Sequence, residues 1–293
     1  MKPAPFLYLR PATVAEAVAA LQEHGDEAKV LAGGQSLVPL LNMRFARPTV
    51  LVDVNRVAGL DRLSEVNNVV RVGALVRQAA FGASSLVRER APLAAECVPF
   101  IGHYVTRNRG TVGGSIAHAD ARAELPLAIT AAGGRVVIHS PGGGFRAVPA
   151  ETFFVTHFTT ILEPTELVAE TTWPAAGPGS GFAFDELAQR RGDYALGMAA
   201  CSLRTEGGKA AGTRIAVGAV GDRPLLLAEV AALVDGEAVG DELVRQAGAA
   251  AAEAVDPADT LHASAAYQRH LTGLLVERAL RRAWDRATVS APS

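Results

Sequence analysis

Apolar positions in the first sixty residues follow two periods, and the switches between them predict the elements. Phe6 to Arg10 reads as a short strand. Thr13 with Glu16 three residues on is a capping-box signature. Val14, Ala17, Val18 and Leu21 then share one face of a helix that His24-Gly25 closes. Ala28 to Ala32 predicts a strand that runs into Gly33-Gly34. Ser36 can cap a short helix through Leu41, limited by Pro39, and Thr49 to Val54 reads as a buried strand. Strand, helix, strand, glycine segment, strand is a small α/β unit.

The pattern changes after Gly59. Leu60–Val66 and Val69–Ala74 form a hairpin about Asn67-Asn68. Arg88–Ile101 is helical, with Pro92 and Pro99 bounding its middle. Pro126–Ala132 is a further helix, and Gly134–His139 and Leu167–Thr172 are strands. The uncharged, Gly- and Pro-rich run Ala175–Gly181 marks a domain boundary. Beyond it lie strands at Gly181–Leu187, Ala195–Arg204 and Arg214–Val220, then helices at Pro224–Val234, Asp241–Ala254 and Ala265–Arg286. The predicted class is α+β. Its C-terminal third is a three-stranded antiparallel sheet with helices on one side.

Composition narrows the function classes. The chain has 293 residues, a formal net charge of -2 and no basic run, which argues against a nucleic-acid or membrane-surface partner. Cys97 and Cys201 each lie in an apolar stretch and read as buried thiols. No metal-ligand cluster and no acid/base pair stands out. Neither an apolar leader nor a run of 18 apolar residues occurs, so the cytosol is the expected location.

Candidate chemistry sits in two glycine segments. Ala32-Gly33-Gly34-Gln35-Ser36-Leu37 follows a strand; Thr111-Val112-Gly113-Gly114-Ser115 precedes a short apolar stretch, with Arg107 and Arg109 upstream. Adjacent glycines let the backbone approach a ligand, and free N–H groups in such segments form anion-binding concavities. Neither segment carries the lysine of a P-loop or the spacing of a Rossmann fingerprint. Two such segments predict a pyrophosphate held from two sides.

Ala32–Arg44 and Arg107–Asp120 closely resemble the two flavin loops of the FAD-binding medium subunits of molybdenum hydroxylases, the carbon monoxide dehydrogenase/xanthine dehydrogenase family. Arg190–Leu196 resembles the family's third marker. The resemblance covers the whole chain. It implies a two-part FAD domain of the vanillyl-alcohol-oxidase (PCMH) type over residues 1–175, with subdomains of about 1–58 and 59–175, and a C-terminal domain over 181–288. It also implies a role as electron-transfer subunit. Substrate, a small and in some branches N-heterocyclic molecule or carbon monoxide, is oxidised at a molybdopterin cofactor on a large subunit. Electrons cross [2Fe-2S] clusters on a small subunit to FAD here, in what is expected to be a dimer of heterotrimers. A free-standing FAD oxidoreductase and a flavin-free scaffold are the competing classes.

Carried over by resemblance, Ala32, Gly33, Gly34, Gln35, Ser36 and Leu37 wrap the FAD pyrophosphate together with Thr111, Gly113, Gly114 and Ser115. Asp120 suits cofactor hydroxyls, because a carboxylate accepts more than one hydrogen bond. Glu166 and Leu167 match a pair lining the adenine or flavin end, or are plain strand residues. Tyr194 falls where an aromatic side chain lies by the isoalloxazine, or packs a core. His118, although near Ser115 and Asp120, shapes the loop or touches FAD; residues this close on one segment do not make a triad.

Overall fold

The computed structural model describes residues 1–290. Three larger sheets and a two-stranded one, Phe154–Thr156 with Thr159–Thr160, carry it. The first is parallel, in the order Leu7–Leu9, Val50–Asp53, Ala28–Leu31, and helix Val14–His24 packs on it through Ala17, Val18 and Leu21. Thr13 Oγ1 accepts the Glu16 N–H at 3.1 Å, and the Glu16 carboxylate accepts the Ala12 N–H at 2.7 Å. That return bond lands one residue earlier than in the reciprocal capping box.

The second sheet is antiparallel, in the order Leu63–Val66, Val69–Gly73, Leu167–Pro174, Arg135–His139, Phe145–Pro149. Its central strand joins it to the first unit. A bulge interrupts the register between Val168 and Glu170, and the Ala169 carbonyl accepts the Ala74 N–H at 2.8 Å. Leu167 and Ala169 are buried in the core of the first unit, whereas Val168 faces the core of the second.

The third sheet comprises Ser180–Ala188, Ala195–Glu206, Lys209–Gly218 and the two-residue strand Leu225–Leu226. It is buried on both faces, with a clean period of two. Ala183, Ala199, Cys201, Ile215 and Val217 pack against the C-terminal helices Ala228–Val234, Asp241–Glu253 and Ala265–Ser290. Phe184, Met198, Ala200 and Ala216 face the other way, into the core around helix Glu124–Ala131. Both cysteines are free and fully buried.

Three local expectations are corrected. The Arg88–Ile101 segment is broken: Ser85–Arg90 ends before Pro92, which opens a new helix to Cys97 because proline closes one helix and suits the first turn of the next. Leu225–Leu226 pairs with Ala216 and Val217 at the sheet edge, so the following helix starts only at Ala228. The second glycine segment is not a loop. Val112–His118 is helical despite two glycines, with Thr111 as its N-cap. Tertiary packing overrides the low helix propensity of glycine there.

Candidate functional site

The Ala32–Leu37 segment leaves the parallel strand Ala28–Leu31 and enters helix Leu37–Met43. Gly34 holds a φ of +73°, a conformation other residues rarely adopt. Among the described residues, no protein acceptor takes the backbone N–H groups of Gly33, Gly34, Gln35, Ser36 or Leu37, and Ser36 Oγ is also free. Five successive unmet donors lie on a partly exposed turn, the kind of backbone that suits an anion. Gln35 Nε2 folds back on the Gly33 carbonyl at 3.3 Å.

The second segment uses its amides internally. Val112 N–H donates to the Val76 carbonyl (2.9 Å), Gly113 to Ala74 (3.0 Å), Gly114 to Thr111 Oγ1 (3.0 Å) and Ser115 to the Thr111 carbonyl (3.1 Å). This segment therefore lies flat on residues 74–78. Gly113 allows that: an added Cβ would come within 2.5 Å of Ala74 Cα. The Ser115 hydroxyl has no protein partner among the described residues, and it lies on a half-buried face.

The two segments meet. A Cβ on Gly33 would stand 2.5 Å from the Arg109 carbonyl oxygen and 2.8 Å from Gly110 Cα, and one on Gly114 would stand 3.8 Å from Ala32 Cβ. Side chains that the sequence reading missed span the same junction. Asn55 Nδ2 donates to the Ala32 carbonyl at 2.8 Å, and Arg77 donates to the Arg109 carbonyl at 2.5 Å and to Asn55 Oδ1 at 2.7 Å. The signal for Asn55 was a polar residue directly after a buried strand, which marks a turn.

Asp120 Oδ1 accepts the Arg122 N–H at 2.9 Å, while its other oxygen has no protein donor among the described residues. The His118 ring lies 4.9 Å from that of Phe158; burial lowers its pKa, partly countered by Asp120. It is a packed imidazole, with no hydrogen bond to Ser115 or Asp120. Tyr194 is 66% exposed, within reach of the charges of Asp120, Glu124 and Arg122. Gly192 in the turn before it packs against the His103 ring.

Glu166 and Leu167 stand apart from this cluster in what they do. The Glu166 carboxylate accepts from Arg146 (2.7 Å), Ser140 (2.8 Å) and the Glu163 N–H (3.0 Å). Burial works against its charge, but these bonds hold its pKa below the usual range. Leu167 is a core residue. Arg107 donates to the Ile101 and Gly102 carbonyls, at 2.8 and 3.0 Å. Behind the site, burial pushes the Glu124 pKa up to about 7. Burial and the neighbouring Glu124 carry Glu186 to about 8, and Glu186 Oε2 is buried with no partner.

Known proteins resemble this chain in sequence and fold. Residues 4–176 match the family described as the FAD binding domain in molybdopterin dehydrogenase, and residues 182–283 match the CO dehydrogenase flavoprotein C-terminal domain. The chain is 40% identical to the 6-hydroxypseudooxynicotine dehydrogenase complex subunit alpha of Paenarthrobacter nicotinovorans, over 98% of this chain and 97% of the relative. Among solved structures, a chain of carbon monoxide dehydrogenase from Hydrogenophaga pseudoflava superposes with a TM-score of 0.95 at 38% identity, covering 98% of this chain and 99% of the other. A chain of quinoline 2-oxidoreductase from Pseudomonas putida 86 gives 0.91 at 34%, with the same coverage.

Proposed function

The chain belongs to the FAD-binding medium subunits of molybdenum hydroxylases, and from that premise we propose that it holds FAD between Ala32–Leu37 and Thr111–Ser115 and relays electrons within a heteromeric complex. The five unmet N–H donors of Gly33–Leu37 carry this reading, since they offer a pyrophosphate what water otherwise supplies. Bound FAD supplies redox chemistry between one-electron carriers and a terminal acceptor. The chain's own residues bind and orient. Gly33 and Gly34 permit close approach, and the Ser36, Thr111 and Ser115 hydroxyls add polar contacts. The open oxygen of Asp120 accepts cofactor hydroxyls, and the exposed ring of Tyr194 is free to cover the isoalloxazine.

In this reading residues 1–175 form the flavin domain and 181–288 the C-terminal domain. The partners are a large molybdopterin subunit and a small [2Fe-2S] subunit, in a cytoplasmic dimer of heterotrimers. Among the described residues no helix is long and apolar enough to cross a membrane. Relatives named for a nicotine derivative and for quinoline support a small N-heterocyclic substrate, oxidised on the large subunit.

Co-expression with the neighbouring subunits, followed by a visible spectrum and cofactor extraction, tests this. One FAD per chain, reduced by substrate only when all subunits are present, is expected. A complex that never holds flavin would sink the reading. Substrate turnover by this chain alone would replace it with a free-standing oxidoreductase.

A further inference from the structure

We propose that Asn55 and Arg77 are positioning residues for the flavin clamp, a polar brace that fixes the separation of the two glycine segments; this rests on the FAD reading above. The brace starts at the end of strand Val50–Asp53. Tyr8 donates its hydroxyl proton to Asp53, and Asp53 Oδ1 accepts from both the backbone N–H (2.9 Å) and Nδ2 (2.6 Å) of Asn55. Thus the Asn55 amide is oriented from behind. Its Nδ2 also reaches the Ala32 carbonyl, directly before the glycines of the first segment. Its Oδ1 accepts from Arg77, whose other nitrogen holds the Arg109 carbonyl.

That carbonyl is the atom a Gly33 Cβ would strike. The brace and the closest approach of the two segments therefore share one atom. Arg77 is placed by its own backbone, since it pairs with Thr111 while Gln78 N–H donates to the Gly110 carbonyl at 2.9 Å. A planar guanidinium can bridge two acceptors at fixed geometry, which an ammonium cannot.

Charge points the same way. Among the described residues neither Arg77 nor Arg109 forms an ion pair with a carboxylate. Burial, and then the neighbouring Arg109, lower the Arg77 pKa, with Asp53 only partly compensating. The Arg77 guanidinium, only partly compensated and held at the junction with the five free amides, adds positive potential that a pyrophosphate would relieve.

The test uses the full chain in its complex, stripped of flavin and titrated with FAD. Asn55→Asp keeps the acceptor for Arg77 but removes the donor to Ala32. Arg77→Lys keeps the charge but not the bridge. Each is expected to weaken FAD binding about tenfold and to alter the visible circular dichroism of the bound flavin, while the unfolding temperature of the flavin-free complex is unchanged. Among Asn55→Ala, Arg77→Ala and the variant carrying both, the double variant is expected to bind FAD within about twofold of the weaker alanine single, because both cut one brace. Unchanged affinity and dichroism in the single variants would overturn the proposal. So would strictly additive losses, or losses that follow the unfolding temperature alone. If the wild-type complex takes up no FAD, the underlying reading fails with it, an outcome distinct from wild-type binding that the variants share.

Discussion

The two glycine segments share Gly-Gly followed closely by a hydroxyl, yet they use their backbones in opposite ways. In Ala32–Leu37 the amide donors are left open, and Gly34 supplies the left-handed turn that exposes them. In Thr111–Ser115 the amides are spent on residues 74–76 and on the N-cap, and Gly113 is there to let two backbones touch. The first segment keeps its donors open and the second spends them on the fold. Open amide donors, expected at both, occur only at the first. The second offers a wall and hydroxyls.

Gly113→Ala is the sharpest way to break this contrast. A Cβ there meets the Cα and Cβ of Ala74 with nowhere to yield, so overpacking should cost about 3 kcal/mol and be visible as a drop in thermal midpoint without any flavin. An equal loss on Gly34→Ala in the flavin-free chain would show that the segments are not different after all.

The next effect comes from pH. The second segment runs into Glu124, which with Glu186 has a folded pKa of about 7 to 8 against an ordinary 4.5. The fold thus retains protons that the unfolded chain releases, and stability falls as pH rises from about 5 towards 8. The slope is at most about 1.4 kcal/mol per pH unit for each carboxyl involved. Denaturant titrations at several pH values should show this slope, and Glu186→Gln should flatten it. A slope of the opposite sign would rule it out.

Smaller effects separate cap from ligand donor. Thr111→Val removes the acceptor of the Gly114 N–H and should cost about 1 kcal/mol of flavin-free stability, measured by chemical denaturation. Ser36→Ala touches no protein partner and should stay within about 0.5 kcal/mol in the same assay, while FAD titration reveals several-fold weaker binding.

Much of this was legible in the chain. The strand running into Gly33, the Thr13–Glu16 cap and the alternation of the C-terminal strands are local patterns, and local physics decides them. The helix at Val112–His118 was not, because its stability comes from residues about 35 positions earlier, against which glycine is required. Glu166 was a candidate only by its resemblance to a family pair, and its partners in this chain were not visible in sequence. Arg146 and Ser140 reach it only once the antiparallel sheet has formed. Arg77 was invisible for the same reason: its two acceptors come from separate segments, Asn55 and Arg109.

The C-terminal sheet, apolar on both faces, bears on how such a chain can be cut and recombined. Residues 175–181 form a seam in sequence, but Phe184, Met198 and Ala216 belong to the same core as Leu125 and Leu127 on the other side of it. Severing the chain there would uncover two greasy surfaces at once, one on each product, and each would seek the other or aggregate. Grafting this C-terminal part onto another flavin module would require matching that inner face residue by residue. The two parts share one core, even where the sequence reads as two.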